Sequence, residues 1–243
     1  MKHIPNLITS LNLVSGFFAI VFAASGDVVG ASWLIVAAMI FDYFDGFAAR
    51  LLKSYSDMGK ELDSLADAVS FGVAPGFIIL RLMSNLQSAD TILLIPNEFQ
   101  ISSVLLLIPV IMPVCAALRL ARFNIDPTQG TTFRGLPAPA NGIGVISLVL
   151  AFNFSASPAI GYIMNSPVWL SVYTLLLSFL MVSRIKLLSL KISGFGFKEN
   201  RGRYLLVALI ALSLLLLGIK ALPLVIPLYL VASIVEYYIL NQS

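Results

Sequence analysis

Four of the five aspartates in one stretch, FDYFDGFAARLLKSYSDMGKELDSLAD, lie at spacings that suit metal chemistry. Asp42, Asp45, Gly46 and Ala49 fall at i, i+3, i+4 and i+7, so on a helix they share one stripe. The stripe of an ordinary core helix is apolar, whereas this one offers two carboxylates and two residues with almost no side chain. Arg50 follows, and Gly59, Asp63 and Asp67 repeat the arrangement at i, i+4 and i+8. If the intervening KSYSDM segment is a turn, two antiparallel helices set four carboxylates against one another. Such a cluster repels itself unless cations neutralise it, which points to one or two divalent ions with oxygen ligands, Mg2+ or Mn2+. Gly46, Ala49 and Gly59 clear room for a ligand to approach the backbone; for Gly46 and Ala49 simple helix packing is the alternative. Carboxylates solvated on a loop do not account for Asp42, because the segment before it, ASWLIVAAMIF, is uninterrupted apolar chain.

Written as D-x2-D-G-x2-A-R-x8-G-x3-D-x3-D, the spacing resembles the signature of the CDP-alcohol phosphotransferase family. Its defining positions are all present, as Asp42, Asp45, Gly46, Ala49, Arg50, Gly59, Asp63 and Asp67. The resemblance implies an all-α membrane bundle and a CDP-linked alcohol as substrate, commonly CDP-diacylglycerol. An acceptor hydroxyl attacks the phosphorus distal to cytidine and CMP leaves. By the same resemblance Asp42, Asp45 and Asp63 are ligands of a first metal and Asp42, Asp63 and Asp67 of a second. Asp67 is also the general base toward the acceptor hydroxyl, and Gly46, Ala49, Arg50 and Gly59 contact the nucleotide. Asn6 and Thr9 resemble polar positions near the nucleotide, with an interfacial role as the alternative. The resemblance also implies a homodimer, for which small residues such as Gly72 and Gly76 permit helix contacts.

The elements that must position these residues belong to a membrane protein. Of 243 residues 59% are hydrophobic and 11% charged, with a mean hydropathy of +0.96, more apolar surface than a soluble domain of this size can hide. The single Cys115 lies in an apolar run, which leaves no intramolecular disulfide and no cysteine metal cluster; it reads as a packing residue. A net charge of +3 gives no reason to expect nucleic acid among the partners. His3 reads as an interfacial residue.

Eight spans are expected, forming one membrane domain over residues 1–243 with no separate soluble domain. Helix 1 runs from Leu7 to Ala24, and its length and its polar Thr9, Asn12 and Ser15 argue against a cleaved signal. Helix 2 covers about Ala31 to Leu52 and helix 3 about Gly59 to Met83, with a kink expected at Pro75. A polar loop from Ser84 to Gln100 leads to helix 4, Ile101 to about Arg122. Helix 5 covers about Ile143 to Phe154, with a start near Pro139 allowed, and helix 6 covers Val168 to about Ile185. Helix 7 runs from Tyr204 to Gly218, and helix 8 follows a turn at Lys220 to Pro223 and ends near Leu240.

Lys53, Lys60, Arg122, Arg134, Lys186, Lys191, Lys198, Arg201 and Arg203 fall in loops on the side of the N-terminus. The opposite loops offer only Arg81 and Lys220. By the positive-inside rule both termini and the carboxylates face the cytoplasm, in the inner membrane of a prokaryote.

The motif does not choose the acceptor. LADAVSFGVAPG, ALRLARFN and FRGLPAPANG, together with IPNLITSLN and MVSRIK, resemble the phosphatidylserine synthase branch of the family, which implies L-serine as the second substrate; the resemblance thins in the last two helices. Serine carries a carboxylate that a cation must hold, and Arg119, Arg122 and Arg134 lie where a bidentate fork could reach the metal cluster. The same arginines could bind the phosphate of glycerol phosphate, which keeps phosphatidylglycerophosphate and archaetidyl synthases as alternatives, or could anchor the helix to anionic lipid. Intramembrane prenyltransferases also hold pyrophosphate with aspartates and Mg2+, but their motifs are spaced differently. A cation transporter is the non-catalytic alternative. It is disfavoured because the aspartates lie within a turn or two of Arg50, Lys53, Lys60 and Glu61, at the membrane edge rather than along a conduction path.

Overall fold

A computed structural model describes residues 3–86, 104–126, 133–188 and 200–238. The loop expected from Ser84 starts later, since helix continues through Leu86; the rest of that loop, the start of helix 4 at Ile101, and Lys191 and Lys198 lie outside the described residues.

The chain begins with α1 (Ile4–Ala24), which has proline in its first turn where a missing N–H costs nothing. Gly26 turns the chain with φ +95°, and Asp27 caps α2 (Val28–Leu51) by accepting from the Gly30 amide at 2.7 Å. Lys53, at φ 48°, ends the run. The expected turn between the motif halves closes at Ser56, whose hydroxyl accepts from the Gly59 amide at 3.0 Å and caps α3 (Asp57–Ala68).

The face that α1 buries holds Thr9, Asn12, Ser15, Gly16, Ala19 and Ala23, while Leu7, Leu11, Val14, Phe17, Phe18 and Val21 are exposed. Small and polar residues inside with large apolar ones outside invert the pattern of a water-soluble helix and suit one packed in lipid. Among the described residues five helical runs are long and apolar enough to cross a membrane, Ile4–Ala24, Val28–Leu51, Asp57–Leu86, Ile108–Ile125 and Arg201–Tyr237, and the bent pair Pro158–Met164 and Pro167–Val182 makes a sixth if it counts as one span.

The third run is not one regular helix. A π-helical turn, Val69–Val73, separates α3 from α4 (Ala74–Leu86). Pro75 lies just beyond it and has no N–H for the Phe71 carbonyl; Asn141 Nδ2 donates to that carbonyl at 2.7 Å instead. The irregularity expected at Pro75 therefore appears one turn earlier, as a π-turn held from another helix.

A 3-10 turn, Ile108–Val110, leads into α5 (Ile111–Ile125). After β1 (Phe133–Arg134) come α6 (Ala138–Phe154), α7 (Pro158–Met164) and α8 (Pro167–Val182). At 17 residues α6 is the shorter apolar helix, about 25 Å long, and begins at the early limit allowed from sequence. The short α7 was not expected; it meets α8 at 87°.

The last run is longer than any single span requires, and the bundle resolves it as a hairpin. α9 (Arg201–Leu217) passes through a 3-10 turn, Gly218–Leu224, into α10 (Val225–Tyr238). A Cβ placed on Gly202 would stand 2.8 Å from Glu236 Oε2, so the two ends of the run lie side by side, as the two-helix reading requires.

Two sequence expectations need correction. Helix 6 stops at Val182 rather than Ile185, because Ser183 turns extended and Lys186–Leu187 form β2, antiparallel to β1 with Arg134 opposite Lys186. Gly72 and Gly76 pack inside the chain: an added Cβ would meet Ala116 Cβ at 2.7 Å and the Pro109 carbonyl at 3.0 Å respectively. They seat α4 and the π-turn against α5 and are buried, so they are not available to a second protomer.

Candidate active site

The capped turn folds α3 back along α2 and brings the two halves of the motif together. One carboxylate oxygen from each of Asp42, Asp63 and Asp67 lies within 4.8 Å of the others, so that small side-chain movements would let a single cation touch all three. Oxygen-only donors at this spacing fit a divalent ion such as Mg2+ or Mn2+. Asp45, one turn past Asp42, stands outside that group. It is 6% exposed, lies beside Thr9 of α1, and its Oδ2 has no hydrogen-bond partner among the described residues. A buried carboxylate oxygen without a partner is costly, and a cation next to the trio would relieve it.

The first turns of α1 form a wall of the site. Thr9, 3% exposed, donates its hydroxyl to the Pro5 carbonyl at 3.0 Å. A Cβ on Gly59 would come within 3.0 Å of Asn6 Oδ1, so Asn6 and the backbone of the second motif glycine are neighbours. Gly46 and Ala49 are half-buried on α2 and Arg50 is exposed beyond them, with its Nη1 3.7 Å from where a Gly46 Cβ would be. Asn6, Thr9, Gly46 and Gly59 thus form a rim of small and polar residues beside the carboxylates. Asn12, to which no role fell in the sequence, donates Nδ2 to Asp67 Oδ1 at 3.2 Å.

The arginines gather next to this rim. Arg119 is 8% exposed on α5, and its charge interacts with that of Asp67. With Arg122, Arg134 and Arg184 it lines a cavity of about 360 Å3 between the ends of α5 and α8. All three arginines expected at the acceptor are therefore together, and Arg184 joins them. The only sequence signal for Arg184 was its place in MVSRIK. Its position depends on the β1–β2 pairing, which periodicity does not reveal.

Gly135, at φ +78°, makes this arrangement possible. A Cβ there would stand 2.4 Å from the Met181 carbonyl. The Gly135 amide donates to the Ile185 carbonyl and the Leu136 amide to the Leu180 carbonyl, both at 2.9 Å. Arg122 Nη1 donates to the Val182 carbonyl at 3.2 Å, so this arginine also caps the last turn of α8.

The carboxylate cluster and the cavity lined by the arginines and Asp126 are linked through Arg119, which lines the cavity and interacts with the charge of Asp67. The comparisons agree with that chemistry. The CDP-diacylglycerol–serine O-phosphatidyltransferase of Bacillus subtilis (strain 168) is 36% identical over 186 residues, covering 76% of this chain and 90% of that protein. The protein of the same name from Helicobacter pylori (strain ATCC 700392 / 26695) is 32% identical over 242 residues, covering 97% and 91%. That from Methanocaldococcus jannaschii is 34% identical over 183 residues, covering 75% and 72%. The family model for CDP-alcohol phosphatidyltransferases matches residues 2–237, which takes in the carboxylate rim, the arginine cavity and the terminal hairpin alike. On that match and these identities, the chain belongs to the CDP-alcohol phosphatidyltransferase family.

Proposed function

We infer that the protein transfers the phosphatidyl group of CDP-diacylglycerol to the hydroxyl of L-serine, giving phosphatidylserine and CMP. The observation that carries this reading is the arginine-lined cavity whose Arg119 interacts with the charge of Asp67, together with relatives named for the serine reaction.

Asp42, Asp45, Asp63 and Asp67 would hold one or two divalent ions, Mg2+ or Mn2+, which would supply the positive charge that a pyrophosphate and a departing phosphate require. Gly46, Ala49 and Gly59 let the nucleotide approach the backbone, with Asn6, Thr9 and Arg50 as its polar contacts. Arg119, Arg122, Arg134 and Arg184 receive the serine carboxylate, and that places the serine hydroxyl toward Asp67. Asp67 takes the hydroxyl proton as the serine oxygen bonds to the phosphorus next to diacylglycerol. The anhydride bond to CMP breaks, and its electron pair leaves with CMP.

The end of the bundle that carries the site also carries Arg50, Lys53, Lys60, Arg122, Arg134, Arg184 and Lys186. On the positive-inside rule this end and both termini face the cytoplasm, where serine and CMP are found, in the inner membrane of a prokaryote. The chain acts as one membrane domain. A homodimer would have to form through surfaces other than Gly72 and Gly76.

CMP release from CDP-diacylglycerol by the purified protein in detergent, with Mg2+ or Mn2+, tests the reading. L-serine, glycerol 3-phosphate and inositol phosphate are compared as acceptors. Release that depends on serine is expected. Release with glycerol 3-phosphate instead would keep the metal site and overturn the acceptor. No release with any acceptor, together with cation flux into proteoliposomes, would make the protein a transporter.

A further inference from the structure

Asn12 is 0% exposed, on the inward face of α1. Its Nδ2 donates to Asp67 Oδ1 at 3.2 Å, while its own Oδ1 is buried and has no partner among the described residues. Reversing the amide would set its oxygen against a carboxylate oxygen, so chemistry fixes which end faces Asp67. The backbone around Asn12 is pinned as well. Ser70 Oγ, in the π-turn, donates to the Asn12 carbonyl at 3.0 Å, and a Cβ on Gly16 would fall 2.3 Å from Ser70 Oγ. α1 is therefore locked to the segment that follows Asp67, with the Asn12 amide directed at the carboxylate.

We propose that Asn12 is a positioning residue for the metal site: its amide holds Asp67 Oδ1 and so fixes how the Asp67 carboxylate faces Asp42 and Asp63. This rests on the metal reading of the carboxylates given above. Hydrogen-bond partners behind ligating carboxylates set their orientation, and losing one typically weakens metal affinity about 10- to 100-fold. A purely structural Asn12 would affect folding and leave metal affinity alone.

Mn2+ binding to the purified protein in detergent, read from the loss of the free-ion paramagnetic resonance signal, separates the two roles. Melting with and without Mn2+ is measured in parallel. Asn12→Leu keeps the branching pattern of the side chain, at a larger volume, and removes both polar atoms, and Asn12→Ala is a second variant in case the first disturbs packing. Whichever melts like the wild type without Mn2+ carries the comparison. That variant is expected to bind Mn2+ about 10- to 100-fold more weakly and to lose most of the Mn2+-induced rise in melting temperature. Ser70→Ala, which loosens the same helix contact but leaves the amide in place, is expected to keep wild-type Mn2+ affinity. Unchanged affinity in both Asn12 variants, or equal weakening by Ser70→Ala, would overturn the assignment of Asn12 alone. Absence of saturable Mn2+ binding in the wild type would overturn it together with the metal reading.

Discussion

Asn124 Nδ2 donates to Ser64 Oγ at 2.9 Å and so ties α5, which carries Arg119 and Arg122, to α3, which carries Asp63 and Asp67. Lys60 Nζ strengthens the joint by donating to the Asn124 carbonyl at 3.0 Å. The contact sets the distance between the arginine cavity and the carboxylates, so it bears on both substrates at once. Removing it with Asn124→Ala should cost about 1 kcal/mol of alignment, or roughly fivefold in kcat/KM. Steady-state kinetics should show similar losses when either CDP-diacylglycerol or serine is varied, and a loss confined to one substrate would mean the helices are aligned by other contacts.

Asp67 lies where the two halves of the site meet. Asp67→Asn should keep the fold and CDP-diacylglycerol binding while lowering turnover by at least about a hundredfold, the lower end of what a positioned base supplies. Single-turnover CMP release measures this directly. Near-normal turnover would remove Asp67 from both the base and the ligand roles.

The four arginines should not behave alike. Arg134→Ala and Arg184→Ala each delete charged donors from the cavity and should raise the KM for serine by roughly 10- to 100-fold, as expected for about 1.5–3 kcal/mol per charged hydrogen bond. The KM for CDP-diacylglycerol should change little. Arg122→Ala should also lower the melting temperature, because Arg122 caps the Val182 carbonyl. Equal effects on both substrates from Arg134→Ala and Arg184→Ala would point to lipid anchoring instead.

Gly135→Ala tests the joint that assembles the cavity. The added methyl must occupy a left-handed backbone conformation, at a cost of about 1–2 kcal/mol, and would stand 2.4 Å from the Met181 carbonyl. Melting in detergent should fall, and the KM for serine should rise as Arg134 and Arg184 separate. A variant that melts and binds serine normally would show that the β1–β2 pairing does not hold the cavity.

Chelation should abolish CMP release, and added Mg2+ or Mn2+ should restore it, because the closely spaced carboxylates of Asp42, Asp63 and Asp67 repel one another when no cation is bound. Activity that survives exhaustive chelation would exclude the metal assignment.

Much of this protein can be read from local pattern. The offsets from Asp42 to Asp67 place the carboxylates on two helix faces because helix periodicity is a property of neighbouring residues. The apolar runs around them are long enough to require a membrane. The approach of Asp42, Asp63 and Asp67 to one another was legible in this way before any fold was known.

Only tertiary structure decided what depends on contacts between distant segments. Arg184 joins Arg134 because two short strands pair and Gly135 crosses the end of α8, and nothing near Arg184 in sequence encodes that partner. The π-turn replaces a simple kink at Pro75 because Asn141, on another helix, supplies a donor to the Phe71 carbonyl. Gly72 and Gly76 face α5 within the same chain rather than a second protomer, because a small residue permits close approach without specifying what approaches. Asn12 reads as an ordinary polar interruption of a span until Asp67 is placed beside it. In each case the deciding energy is the pairing or packing of groups far apart in the chain, to which helical periodicity is blind.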